Sequence, residues 1–232
     1  LMANRADGII LALSHETKDY EHIKMIQESG TPIVLFDRTT NELNVSRVVT
    51  DGVTAAFQAV QHLVSEGCQK IALLCGPENV GIGGNRMEGY EKAMEANHLP
   101  VKPELICHCS DFTVEAGKEA TRQLLSRKER PDAIFGITDD LAIGAIEAIK
   151  EKGLNIPEDI AIVGFSNTKR SRYMNPTVSS INQFPEKIGR AAAELLFDQI
   201  LNSKHAQIKK EIINCELIVR ESSDRRCRHD RC

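Results

Sequence analysis

The stretch PDAIFGITDDLAIGAIEAIKEKGLNIPEDIAIVGF, residues 131–165, contains one complete architectural unit. Its apolar runs at 133–137 and 160–165 are short, rich in Ile, Val and Phe, and apolar on both faces. Strands of that kind belong to a parallel sheet covered on both sides. Residues 140–152 between them read as a helix, so the stretch is strand, helix, strand. Parallel neighbours need such a crossover.

The same alternation continues outward. Apolar runs at 8–13, 33–36 and 70–74 read as further strands. A helix is expected at 54–66, where Ala56, Ala59, Val60 and Leu63 form a stripe that stops at Gly67, a residue suited to a left-handed helix end. Others are expected at 86–97, 115–127 and 186–202. The fold class is therefore α/β, doubly wound.

A chain of 232 residues with 41% hydrophobic residues can bury a large core, as one α/β domain or two small lobes. No apolar run approaches the ~20 residues of a membrane span, and LMANRADGII lacks the order of a secretion signal. Seven cysteines without framework spacing favour reduced thiols and a cytoplasmic location. With a formal net charge of −4 and scattered Lys and Arg, the chain offers no broad phosphate-binding face. Contact with DNA would fall to another segment.

In doubly wound sheets a ligand sits beyond the carboxyl ends of the strands, where helix N-termini and loop amides converge. The residues there are Ser14 and His15, Asp37 and Arg38, the loop 77–86, Asp111 and Phe112, Thr138 to Asp140, and Ser166 to Arg170. Polar groups with one or two aromatics suit a ligand rich in hydroxyls or carbonyls. Some could equally be helix caps: Asp139 or Asp140 for one helix, Thr113 for another.

Other chemistries meet specific obstacles. Gly164-Phe165-Ser166-Asn167-Thr168 departs from the nucleophile elbow Gly-x-Ser-x-Gly at its last residue, and no His-Gly-Gly loop accompanies it. The segment GPENVGIGGNR completes neither nucleotide-binding pattern, because Arg86 stands where the last glycine should be. Cys107-His108-Cys109 has no second ligand pair and reads as half-buried strand cysteines. The tail RRCRHDRC lacks a hydrophobic anchor and reads as a disordered end. His62 and His98 on helices are expected to face solvent or fill a gap.

Taken together, RADGIIL, TPIVLFDR, VVTDGVTAAFQAVQHLVSEGCQKIALLCGP, RMEGYEKAM, the stretch 131–165, PTVSSINQ, EKIGRAAAELL and LIVRES resemble, in order, the lactose-repressor/galactose-repressor family of bacterial transcription regulators. The resemblance covers residues 1–223. It implies a periplasmic-binding-protein-like core of two α/β lobes joined by three crossovers, near Thr50, Gln183 and Asn214. One lobe would be 1–50 with 184–213, the other 51–183 with 214–224, followed by a tail at 225–232. The helix-turn-helix head is not among these residues, and RADGIIL resembles the second strand of the family core, so the chain is expected to be a fragment.

The resemblance implies a small effector, a homodimer, operator DNA only through the missing head, and no catalytic residue, metal, cofactor or membrane. Arg86 looks like the arginine that clamps ligand oxygens, and Phe112 falls where the family has an aromatic platform. Asp37, Thr138, Asp139 and Gln183 complete the expected set, with Ser166 where the family usually has an aspartate that accepts sugar hydroxyls. Without that carboxylate, and with Arg86 and Arg38 retained, a sugar acid or sugar phosphate is expected over a neutral sugar. The competing readings are a secreted solute-binding protein and an α/β hydrolase using Ser166.

Overall fold

The computed structural model describes residues 6–14, 17, 19–77, 82–202 and 207–225. Its first elements are β1 (Ile9–Leu11), α1 (Glu21–Glu28), β2 (Ile33–Phe36), β3 (Ser46–Thr50), α2 (Gly52–Ser65), β4 (Ile71–Cys75), α3 (Ile82–Ala96) and β5 (Ile106–His108). They are followed by α4 (Val114–Leu125), β6 (Ala133–Gly136), α5 (Asp139–Glu151), β7 (Ala161–Phe165), α6 (Lys169–Tyr173), β8 (Ser179–Asn182), α7 (Pro185–Leu201), β9 (Lys210–Ile213) and β10 (Glu216–Ile218). The chain forms two compact units, Leu1–Asp51 with Phe184–Asn214 and Gly52–Gln183 with Cys215–Cys232.

In the first unit four parallel strands run in the order β1-β2-β3-β9. β2 shows why such strands are apolar on both faces. Ile33 and Leu35 pack with Ile23 of α1 and with Leu13, Leu43 and Val45, while Val34 packs with Val48 and with Ile188, Ala192 and Leu195 of α7. Each face of the sheet thus removes its own apolar surface from water.

The second unit has a six-stranded sheet in the order β10-β8-β7-β6-β4-β5, parallel except for β10 against β8. Its core includes the fully buried Leu73, Tyr90, Phe135 and Phe165. The Tyr90 hydroxyl donates to the Ile71 carbonyl at 2.9 Å, which satisfies its polar tip inside the core. From β4 the chain reaches β5 on one side through α3 and then crosses through α4 to β6 on the other side. This reversal puts the sheet's topological switch point at the carboxyl ends of β4 and β6, where doubly wound folds bind their ligands.

Backbone contacts set the helix packing. A Cβ at Gly144 of α5 would stand 2.1 Å from the Val114 carbonyl oxygen, and one at Gly117 of α4 would stand 2.5 Å from that of Leu141. Small residues at this crossing let the two helices touch directly.

Periodicity did not point to α1, β3, α6, β8, β9 or β10. β8 is the instructive case: it reads SSIN, yet Ser179 and Ser180 are fully buried. Their hydroxyls are satisfied by bonds to Arg220 and Asp139, so a polar pattern still makes an inner strand. The cap of α5 also differs from expectation. Thr138, extended at φ −138 and ψ 159, accepts from the Leu141 amide at 3.3 Å, and Asp139 and Asp140 lie inside the first turn. Thr113 caps α4 by accepting from Ala116 N at 3.2 Å.

Candidate functional site

Arg86 reaches the switch point because α3 is locked one turn further on. A Cβ at Gly89 would lie 2.3 Å from the Val53 carbonyl oxygen of α2, and Tyr90 is in the core. Arg86 shares that helix face, three and four residues earlier. Its Nη1 donates to the Ile137 carbonyl just past β6, and its guanidinium lies 3.8 Å from the centre of the Phe165 ring at the end of β7. The residue is only 9% exposed, so its charge acts across a largely dry environment.

Phe112 approaches the same sheet edge from the turn before α4. Its ring fills the space above Gly76, just past β4, where an added Cβ would stand 2.2 Å from Cε1 and Cζ. Thr138, half-buried, spends an acceptor lone pair on its cap and keeps a hydroxyl proton for donation. Ser166 follows β7 at φ 113 and donates its amide to the Ile181 carbonyl at 2.9 Å. Side chains with such backbones are uncommon and cluster at sites of function.

Arg86, Phe112, Thr138 and Ser166 therefore all stand at the carboxyl edge of the second unit's sheet. Asp139 is there too, but it is 1% exposed and its carboxylate faces inward. Oδ2 accepts from the Thr168 amide at 2.6 Å and hydroxyl at 2.9 Å, and Oδ1 accepts from the Ser180 hydroxyl at 2.5 Å. Asp37 lies in the first unit, exposed, with φ 58, just past β2. Gln183, half-buried, is the last residue before the chain enters α7's segment. Arg38 donates Nε to the Leu13 carbonyl at 2.5 Å, tying two loops of the first unit together.

Sequence reasoning overlooked the polar interior. His62 is buried, and its Nε2 pairs with Ser223 Oγ at 2.7 Å, so it neither faces solvent nor merely fills a gap. This is a serine–histidine contact, but it is remote in sequence from Ser166 and Ser223 is fully buried. Arg225, assigned to a loose tail, donates its amide to Glu66 Oε2, Nε to the Pro157 carbonyl and Nη2 to the Asp132 carbonyl, each at 2.9 Å. Cys227, His229 and Cys232, like His15 and residues 78–81, lie outside the described residues.

Burial raises the thiols of Cys68, Cys75 and Cys109 to about 12 and also pushes Cys107 up, which keeps them protonated near neutrality. Protonated thiols are poor nucleophiles and poor metal ligands. Among the described residues no group of three or more His, Cys, Asp or Glu could hold a metal ion. No described helix is long and apolar enough to cross a membrane.

Two parallel-sheet units, the second with Arg86, Phe112, Thr138 and Ser166 at its carboxyl edge, have the α/β architecture of the periplasmic-binding type. The periplasmic binding protein-like domain matches residues 60–223, and the chain belongs to that family. The HTH-type transcriptional repressor CytR of Escherichia coli K12 is 36% identical over 223 residues, which are 96% of this chain and 64% of that repressor. The chain thus spans a little under two thirds of that relative. The transcriptional regulator CelR in complex with cellobiose superposes with a TM-score of 0.84 at 32% identity, covering 94% of this chain and 66% of that one. A LacI family transcriptional regulator from Enterococcus faecium with bound ribose gives 0.83 at 27% identity, covering 95% of this chain and 81% of that one.

Proposed function

We propose that this chain is the effector-sensing core of a bacterial transcriptional repressor, a binding protein rather than an enzyme. The observation that carries the reading is Arg86, stacked on Phe165 and bonded to the Ile137 carbonyl at the carboxyl ends of the strands. Its relatives are repressors, which favours this reading over a secreted solute-binding protein.

The effector is a sugar derivative. Cellobiose and ribose occupy two of the structural relatives. Here the strand end carries Ser166 in place of a carboxylate, and the inward-facing Asp139 accepts from Thr168 and Ser180. Arg86 is left as the charged group of the set in the second unit, and a guanidinium suits a carboxylate or phosphate through a forked pair of hydrogen bonds. We therefore favour a sugar acid or sugar phosphate over a neutral sugar. Phe112 supplies a platform for the ring, Thr138 and Ser166 supply hydroxyls, and Gln183 is a further contact.

Operator DNA is assigned to a helix-turn-helix head of the kind that CytR's name records. An effector that binds one conformation of the core more tightly shifts operator affinity by that preference, and about 1–3 kcal/mol of coupling suffices for a switch. The working unit is a cytoplasmic homodimer.

Thermal denaturation with D-ribose, cellobiose, D-glucuronate and ribose 5-phosphate tests the reading, with Arg86→Ala as control. The expected result is a rise in melting temperature with an anionic member that Arg86→Ala abolishes. A rise of equal size in Arg86→Ala would remove the site from this sheet edge.

A further inference from the structure

We propose that Asp139 and Arg220 are positioning residues that preset the turn carrying Ser166, and that Asp139 is not itself a ligand acceptor. The assignment rests on the reading of Ser166 as an effector contact. Ser166 and Asn167 are successive non-glycine residues with positive φ, 113 and 48. Asparagine tolerates the left-handed region, but serine at φ 113 must be held there by its surroundings.

The surroundings supply five hydrogen bonds. The Ser166 amide donates to the Ile181 carbonyl at 2.9 Å, the Asn167 amide to Ser180 Oγ at 2.9 Å, and the Thr168 amide to Asp139 Oδ2 at 2.6 Å. Arg220 Nη2 donates to Asn167 Oδ1 at 2.7 Å, and the Ser180 hydroxyl closes the ring by donating to Asp139 Oδ1 at 2.5 Å. Gly164 leaves room for that carboxylate, because a Cβ there would stand 2.5 Å from Oδ1. Burial chiefly, and Arg172 nearby, push the Arg220 guanidinium down, while Asp139 acts the other way.

Two consequences follow for recognition. All three amides of the turn are committed inside the protein, so the turn cannot serve as a backbone nest for an anion. What it leaves to a ligand is the half-buried Ser166 side chain, on a turn held by Asp139 through Thr168 and Ser180 and by Arg220 through Asn167. Asp139 stabilises the conformation through charge-assisted bonds, the strong kind.

Hydrogen–deuterium exchange of the ligand-free protein, resolved at residues 164–170, tests the assignment with Asp139→Asn, Arg220→Met and Arg220→Lys. Losing a charge-assisted bond should raise local opening by roughly ten- to a hundred-fold. Faster exchange at Asn167 and Thr168 is expected in Asp139→Asn and Arg220→Met, with partial restoration in Arg220→Lys and unchanged protection in β4 and β6. Exchange at the turn that stays at the unmutated rate, or rises equally throughout the unit, overturns the assignment. Ser180→Ala, which removes one link and keeps both charges, gives the same readout if Asp139→Asn does not fold. A separate arm measures the D-glucuronate-induced rise in melting temperature of Ser166→Ala, where a reduced response is expected. An undiminished response there, with the exchange results intact, removes the effector reading on which the proposal rests.

Discussion

Gly76 has no side chain because Phe112 needs the space. An added methyl would meet the ring at 2.2 Å, and the ring is a half-buried group that can swing away from it. Gly76→Ala is therefore expected to leave the fold intact and displace the aromatic platform, lowering effector response with little loss of melting temperature; unchanged response would show that the platform is dispensable. The buried thiols make a second residue-scale prediction. Cys68, Cys75 and Cys109 ionise near 9.0 when unfolded and at about 12 when folded. The folded state holds its protons longer, so their contribution is fully present below 9.0 and is lost as pH rises from there toward about 12. The melting temperature should fall over that alkaline window, and less steeply in a variant with these cysteines replaced by alanine. An identical slope in the two proteins would refute the assignment.

At the scale of elements, the α4–α5 crossing is the most exacting contact. Gly144→Ala drives a methyl against the Val114 carbonyl and the Lys118 amide, backbone atoms that cannot rotate away. Overpacking of this kind costs about 1–3 kcal/mol, and chemical denaturation should report it as a lower midpoint. A Gly144→Ala variant as stable as the parent would mean that the helices can separate without penalty. The long helices were legible in the sequence because apolar residues recur along one face, as at Ala56, Ala59, Val60 and Leu63. β8 was not, because its Ser179 and Ser180 look like surface residues until their distant partners are known. The caps divide the same way. Thr113 was legible as a cap, whereas the choice of Thr138 over the neighbouring aspartates depended on Asp139 being drawn inward by Thr168 and Ser180.

For the whole molecule, effector binding is a statement about stability. A ligand bound only by the folded state, at about 100 times its Kd, adds about 2.7 kcal/mol, which for a domain of this size raises the melting temperature by about 5–10 °C. That is the size of signal expected in the effector screen. The chain's order of apolar runs and amphipathic stretches determined the layered α/β architecture and put Thr138 and Ser166 just beyond strand ends, because strand and helix periods are local properties of the chain. Tertiary structure alone decided the polar interior: His62 joined to Ser223 across 161 positions, Arg220 to Asn167 across 53, and Asp139 turned inward toward Thr168 and Ser180. A hydrogen bond between residues so far apart leaves no periodic trace. Its partners become visible only when folding has buried them and each must find the other.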